Sequence, residues 1–224
     1  MQKITTLLFD LDGTLVDSAP DLAAAVNKTL AVLQRDTFDE QQIRTWVGNG
    51  AKVLIERALS GSQQIDPELD SALANDALGL FLKHYQQDVC VYSKLYAGVA
   101  TTLQQLKNAG FTLAIVTNKP EKFIQPILAK LQIAEFFCSS LGGDSLPEKK
   151  PSPQPLLHIC QQLNVAVENT LMIGDSHNDI LAAKAANMQS IGLTYGYNYG
   201  EDINKHQPDW VFDNFADIVS VVMK

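Results

Sequence analysis

The 224-residue chain lacks the positive charge that nucleic acid or an anionic membrane would need: 17 Lys and Arg stand against 25 Asp and Glu, a net charge of -8. Such a surface repels phosphate backbones and anionic lipid, which argues against nucleic-acid and membrane partners. Cysteine is scarce. Cys90, Cys138 and Cys160 are odd in number and form neither a C-x-x-C pair nor a metal-ligand cluster, so buried free thiols are expected. No run approaches the roughly 18 apolar residues of a membrane span. Met1-Gln2-Lys3-Ile4 carries no basic leader, and a reducing cytoplasm is the expected location. Internal repeats, low-complexity tracts and charge runs are missing too. The histidines, His84, His158, His177 and His206, show no ligand spacing, and His177 reads as a helix-face residue rather than a catalyst.

What is present suits a globular α/β protein. With 46% hydrophobic residues the chain can bury one sizeable core, or a core and a smaller satellite. Three short apolar runs share one grammar: Leu7-Leu8-Phe9 ends in Asp10, Leu113-Ala114-Ile115-Val116 in Thr117-Asn118, and Leu171-Met172-Ile173 in Gly174-Asp175. Helical periodicity follows at residues 99–106, 123–131 and 155–163. Alternating strand and helix predicts a doubly wound parallel sheet, with ligands outside the carboxyl ends of the strands. Between residues 17 and 88 strand signals vanish, predicting a helical cap inserted into a core of residues 1–16 and 89–224. Ser18-Ala19-Pro20-Asp21 has the spacing of a capping box, and Leu22, Val26, Leu30 and Leu33 make an apolar stripe. A second helix is expected to end near Trp46-Val47, break at Gly48-Asn49-Gly50 and restart through Val53 and Leu54, with a longer one after Pro67.

The polar strand ends carry the chemistry. Asp10 and Asp12, two residues apart, can point to one side, an arrangement that calls for a cation between them. Oxygen ligands favour magnesium, with Asp175 completing the site. Gly13 lets backbone N–H groups approach an anion closely. An isolated Asp-x-Asp-Gly is also compatible with a turn, but the apolar Leu15-Val16 pair breaks the calcium-loop pattern. Thr117 and Asn118 suit a phosphoryl group and equally a helix N-cap. Lys150 reads alone as a surface lysine and gains weight from its company. Asp179, one helical turn beyond Asp175, suits both a site and a helix N-terminus.

The order Asp-x-Asp, Thr, Lys, Asp resembles the haloacid dehalogenase superfamily in its phosphatase branch with a helical cap. That resemblance implies Asp10 as a nucleophile forming an aspartyl-phosphate and Asp12 as acid, then base. It implies magnesium on Asp10, Asp175 and the Asp12 carbonyl, with Asp179 and Ser176 just outside. Thr117, Asn118 and Lys150 would grip the phosphoryl group. Trp46-Val47-Gly48-Asn49-Gly50, Leu141-Gly142-Gly143-Asp144 and Thr194-Tyr195-Gly196-Tyr197-Asn198-Tyr199-Gly200 are similar to the bacterial phosphoglycolate phosphatases within it. The implied substrate is 2-phosphoglycolate, its carboxylate meeting Gly48, Asn49 and Gly50; a plain helix-helix turn there is the alternative. Other small phosphoesters, pyrophosphate, a sugar phosphomutase reaction and a phospho-accepting signalling domain are the competing readings. A small anionic phosphoester partner and a monomer or weak homodimer complete the expectations.

Overall fold

The computed structural model describes residues 3–223; Met1, Gln2 and Lys224, the extremes of the expected core segments, lie outside the described residues. Eight strands form among the described residues: β1 (Thr6–Phe9), β2 (Val16–Asp17), β3 (Lys94–Leu95), β4 (Thr112–Val116), β5 (Ser139–Leu141), β6 (Thr170–Gly174), β7 (Gln189–Leu193) and β8 (Trp210–Phe212). Six make one sheet in the order β5-β4-β1-β6-β7-β8, with every neighbouring pair parallel. The three apolar runs are its centre, buried on both faces as parallel strands require. Phe9 pairs with Ile115 and with Ile173, so Asp10, Thr117 and Asp175 leave the sheet at one edge.

The side-chain alternation of β1 feeds two cores. Leu7 and Phe9 join a large cluster that continues through Leu22, Val26 and Trp46, whereas Leu8 packs with Leu156, Ile159 and Met172 on the other face.

Between β2 and β3 the chain is helical: α1 (Ala19–Val32), α2 (Glu40–Arg44), α3 (Ala51–Ser60) and α4 (Ser71–Gln87). It leaves and rejoins the sheet through an antiparallel ribbon pairing Val16 with Leu95 and Asp17 with Lys94. Helices α5 (Val99–Asn108), α6 (Ile124–Lys130), α7 (Gln154–Leu163), α8 (His177–Ala185) and α9 (Val219–Val222) belong to the sheet unit. None of the described helices is long and apolar enough to cross a membrane.

Two local expectations need correction. The capping box at Ser18 and Asp21 does not form. Ser18 has helical backbone angles and donates its hydroxyl to Asp12 Oδ1 at 2.6 Å, while Asp21 accepts from the Tyr92 and Ser93 N–H groups at 2.9 and 2.8 Å. Both side chains have long-range partners that outcompete the local cap. A capping box does form at Ser176 and Asp179, opening α8. All three cysteines are free, but only Cys90 and Cys160 are buried; Cys138, on the approach to the sheet edge, is exposed.

Candidate active site

Lys150, compatible from sequence with a surface position, is almost completely buried, at 1% exposure. Its ammonium lies 3.1 Å from Asp10 Oδ1 and 2.6 Å from Asp179 Oδ1, and donates to the Val116 carbonyl at 2.6 Å. A buried charge survives only in such company. Burial alone would lower the pKa of Lys150, but Asp10 and Asp179 outweigh it and hold the pKa above the ordinary lysine value. The second Asp179 oxygen accepts from the Ser176 N–H at 3.0 Å and hydroxyl at 2.9 Å, which fixes the carboxylate.

Asp175 accepts from the Thr14 hydroxyl and the Tyr197 N–H, each at 2.6 Å. Gly13 is required here for two reasons: φ is +91°, and a Cβ would stand 2.2 Å from Asp175 Oδ2. The close approach expected of Gly13 is thus made to the Asp175 carboxylate. Carboxylate oxygens of Asp10, Asp175 and Asp179 lie within 4.8 Å of one another, all buried. Burial pushes Asp10 from 3.8 up to about 6 against the downward pull of Lys150. Asp175 is raised well above the usual carboxylate range, first by burial and then by Asp10 and Asp179. Three buried carboxylates around one lysine leave a deficit of positive charge. An all-oxygen donor set of this kind fits a hard divalent cation.

Asp12 turns to a second lysine. Lys119 Nζ is 3.0 Å from both Asp12 oxygens and 4.7 Å from the centroid of the Tyr85 ring. Lys119 is buried; burial pulls its pKa down, but Asp12 and Tyr85 more than reverse this. Asp10, Asp12, Thr117, Asn118, Lys119 and Tyr85 face a cleft of about 30 Å³, closed on the helical side by Gly48, Gly50 and Leu54.

The helical segment is stitched to this cleft. Asn118 Nδ2 donates to the carbonyls of Gly48 and Lys150, each at 3.0 Å, and Asn178 Nδ2 reaches the Gly48 carbonyl at 3.3 Å. Lys149 Nζ donates to the Asn49 carbonyl at 2.6 Å. The turn at residues 48–50 therefore meets the sheet unit through the Gly48 and Asn49 carbonyls. Gly48 has φ +123° and no room for a Cβ, which would stand 2.3 Å from the Tyr199 hydroxyl.

The architecture and the acidic cluster meet a decisive finding in comparison: residues 4–187 match the haloacid dehalogenase-like hydrolase family. The chain belongs to this family. A phosphoglycolate phosphatase of Colwellia psychrerythraea is 62% identical over 219 residues, covering 98% of this chain and 97% of the relative. That of Vibrio cholerae is 48% identical over 223 residues, covering 100% and 99%. A crystal structure of a predicted phosphoglycolate phosphatase from Haemophilus somnus superimposes with a TM-score of 0.92 at 43% identity, covering 99% of each chain. A phospho-accepting signalling domain is accordingly set aside.

In this haloacid dehalogenase-like hydrolase, the fold brings Asp10, Asp12, Gly13, Thr117, Asn118, Lys150, Asp175, Ser176 and Asp179 to one sheet edge, with Gly48 and Gly50 across the cleft. Asn49 instead engages Lys149 through its carbonyl. Sequence reasoning missed Lys119. Its signal was its place directly after Thr117-Asn118, but a lysine beyond a strand end ordinarily reads as solvated.

Proposed function

We propose that the protein is a magnesium-dependent phosphomonoester hydrolase that converts 2-phosphoglycolate to glycolate and phosphate, with Asp10 as nucleophile. The observation carrying this reading is the Asp10 carboxylate held 3.1 Å from buried Lys150 at the floor of a small cleft. The substrate choice rests on relatives named phosphoglycolate phosphatase.

An Asp10 oxygen attacks phosphorus, and the bond from phosphorus to the glycolate oxygen breaks. Asp12 gives that oxygen its proton. Asp12 then takes a proton from water, whose oxygen attacks the aspartyl-phosphate, releasing phosphate and restoring Asp10. Lys150 neutralises Asp10 and the phosphoryl oxygens, and Thr117 and Asn118 position the group; such stabilisation is most of phosphoryl-transfer catalysis. Magnesium would be held by Asp10, Asp175 and the Asp12 carbonyl, with Asp179 and Ser176 outside, and would supply further positive charge at the phosphoryl site.

Lys119 adds a reason for choosing a carboxylate-bearing ester. Its ammonium is paired with Asp12 here. A substrate carboxylate that draws Lys119 to itself releases Asp12 for proton transfer. We assign residues 17–88 as a cap that opens to admit substrate and closes to exclude water, since the cleft of about 30 Å³ beneath it is narrow for a phosphoester. Action in the cytoplasm as a monomer or weak homodimer belongs to the same reading, supported by the acidic surface.

The test is phosphate release from 2-phosphoglycolate, ethyl phosphate and pyrophosphate, with magnesium or chelator. The reading expects 2-phosphoglycolate to lead by more than tenfold and chelator to stop turnover. It also expects Lys119→Met to raise KM for 2-phosphoglycolate far more than for ethyl phosphate. Equal rates across the panel would remove the substrate assignment.

A further inference from the structure

His177 and His206, remote in sequence and without ligand spacing, meet in space beside Glu201. One ligand atom from each of the three lies within 4.8 Å of the others. The imidazole rings are 5.4 Å apart by centroid. His206 Nε2 lies 3.4 Å from Glu201 Oε2 but makes no hydrogen bond, although that nitrogen is shielded from solvent. A buried imidazole nitrogen without a partner is costly and asks for an occupant.

Asn198 ties two of the three residues together. Asn198 Oδ1 accepts from the His177 N–H at 2.9 Å, Asn198 Nδ2 donates to the Glu201 carbonyl at 2.9 Å, and the Glu201 N–H donates to the Asn198 carbonyl at 2.7 Å. His206 ends a 3₁₀ turn, Ile203–His206, whose Asp202 cap accepts from the Asn204 N–H at 2.9 Å. Glu201 is 48% exposed in its side chain, leaving an outer face through which an ion can enter.

We infer that His177, Glu201 and His206 form a second metal site, one that takes an imidazole-preferring transition ion of the zinc class. Two imidazoles and one carboxylate with an open position make a donor set suited to zinc, nickel or copper, whereas magnesium prefers oxygen ligands and water. An ion there ties residues 201–206 to the start of α8. The residues just before that stretch supply the Tyr197 N–H to Asp175 and place the Tyr199 ring 5.0 Å from that of His177, so occupancy stiffens the loop behind the carboxylate centre. This role is separate from turnover and does not depend on the substrate assigned above.

The probe is zinc, titrated calorimetrically into chelator-stripped protein with magnesium in excess, together with cobalt for its visible absorption. One zinc per chain is expected, with cobalt bands of nitrogen coordination and a raised Tm. Outer-shell partners of metal ligands are worth 10–100-fold in affinity, so removing a ligand through His206→Ala or Glu201→Gln weakens binding by at least about tenfold. Metal-free Tm of each variant checks that it folds, and exposed Glu201 gives the milder change. Asp175→Asn should leave the zinc isotherm intact. No zinc uptake above magnesium, uptake indifferent to both His206→Ala and Glu201→Gln, or uptake lost in Asp175→Asn would each overturn the site.

Discussion

At Asp10 the fold holds a carboxyl in surroundings that favour its neutral form: burial raises it to about 6 from 3.8. For a carboxyl raised on folding, the stabilising contribution is full below the unfolded value and is lost as pH rises through the folded value. Chelator-treated protein is therefore expected to lose thermal stability from about pH 4 to about pH 6, and Asp10→Asn to flatten that part of the profile, measured by Tm against pH. Lys150 sits at the other end of the same balance. Lys150→Met leaves Asp10 and Asp179 buried without their cation, at about 3–5 kcal/mol by analogy with broken buried pairs. Urea unfolding should show that loss, and activity should fall with it. Gly13→Ala combines a φ of +91° with a Cβ 2.2 Å from Asp175 Oδ2, so a folded variant should bind divalent cations more weakly.

At the scale of elements, the strands that could be read from sequence were those buried on both faces. Leu7-Leu8-Phe9, residues 113–116 and residues 171–173 are continuous apolar runs because helices cover them on either side. Strands β5, β7 and β8 carry serine and glutamine or only three residues, and their pairing is decided by neighbours rather than by their own pattern. Catalytic candidates at strand ends were legible because the chain order placed them at one edge. Lys119 was not, because its partners, the Tyr85 ring from α4 and the Asp12 carboxylate, are both distant in sequence. The misread capping box has the same origin: Ser18 reaches Asp12 and Asp21 reaches the backbone at Tyr92 and Ser93. Because Asn118 joins Gly48 to the Lys150 loop, Asn118→Ala should loosen the cap. Hydrogen exchange is expected to rise over residues 46–50, with KM increased more than kcat is lowered.

For the whole molecule, charge sets the terms. A chain of net charge -8 that concentrates three buried carboxylates at one sheet edge needs positive charge brought from outside to act on an anion. Magnesium should accordingly raise Tm at neutral pH more than near pH 4, where Asp10 of the folded chain is largely protonated and must lose its proton to hold the ion. The central claim is that Asp10 carries the phosphoryl group between two chemical steps. Its most direct measurement is mass spectrometry of protein acid-quenched during turnover of 2-phosphoglycolate, because acid stops both steps and keeps any acyl phosphate on its residue. A phosphoryl group on the Asp10 peptide, absent in Asp10→Asn, is the predicted result; sustained turnover by Asp10→Asn would contradict the account.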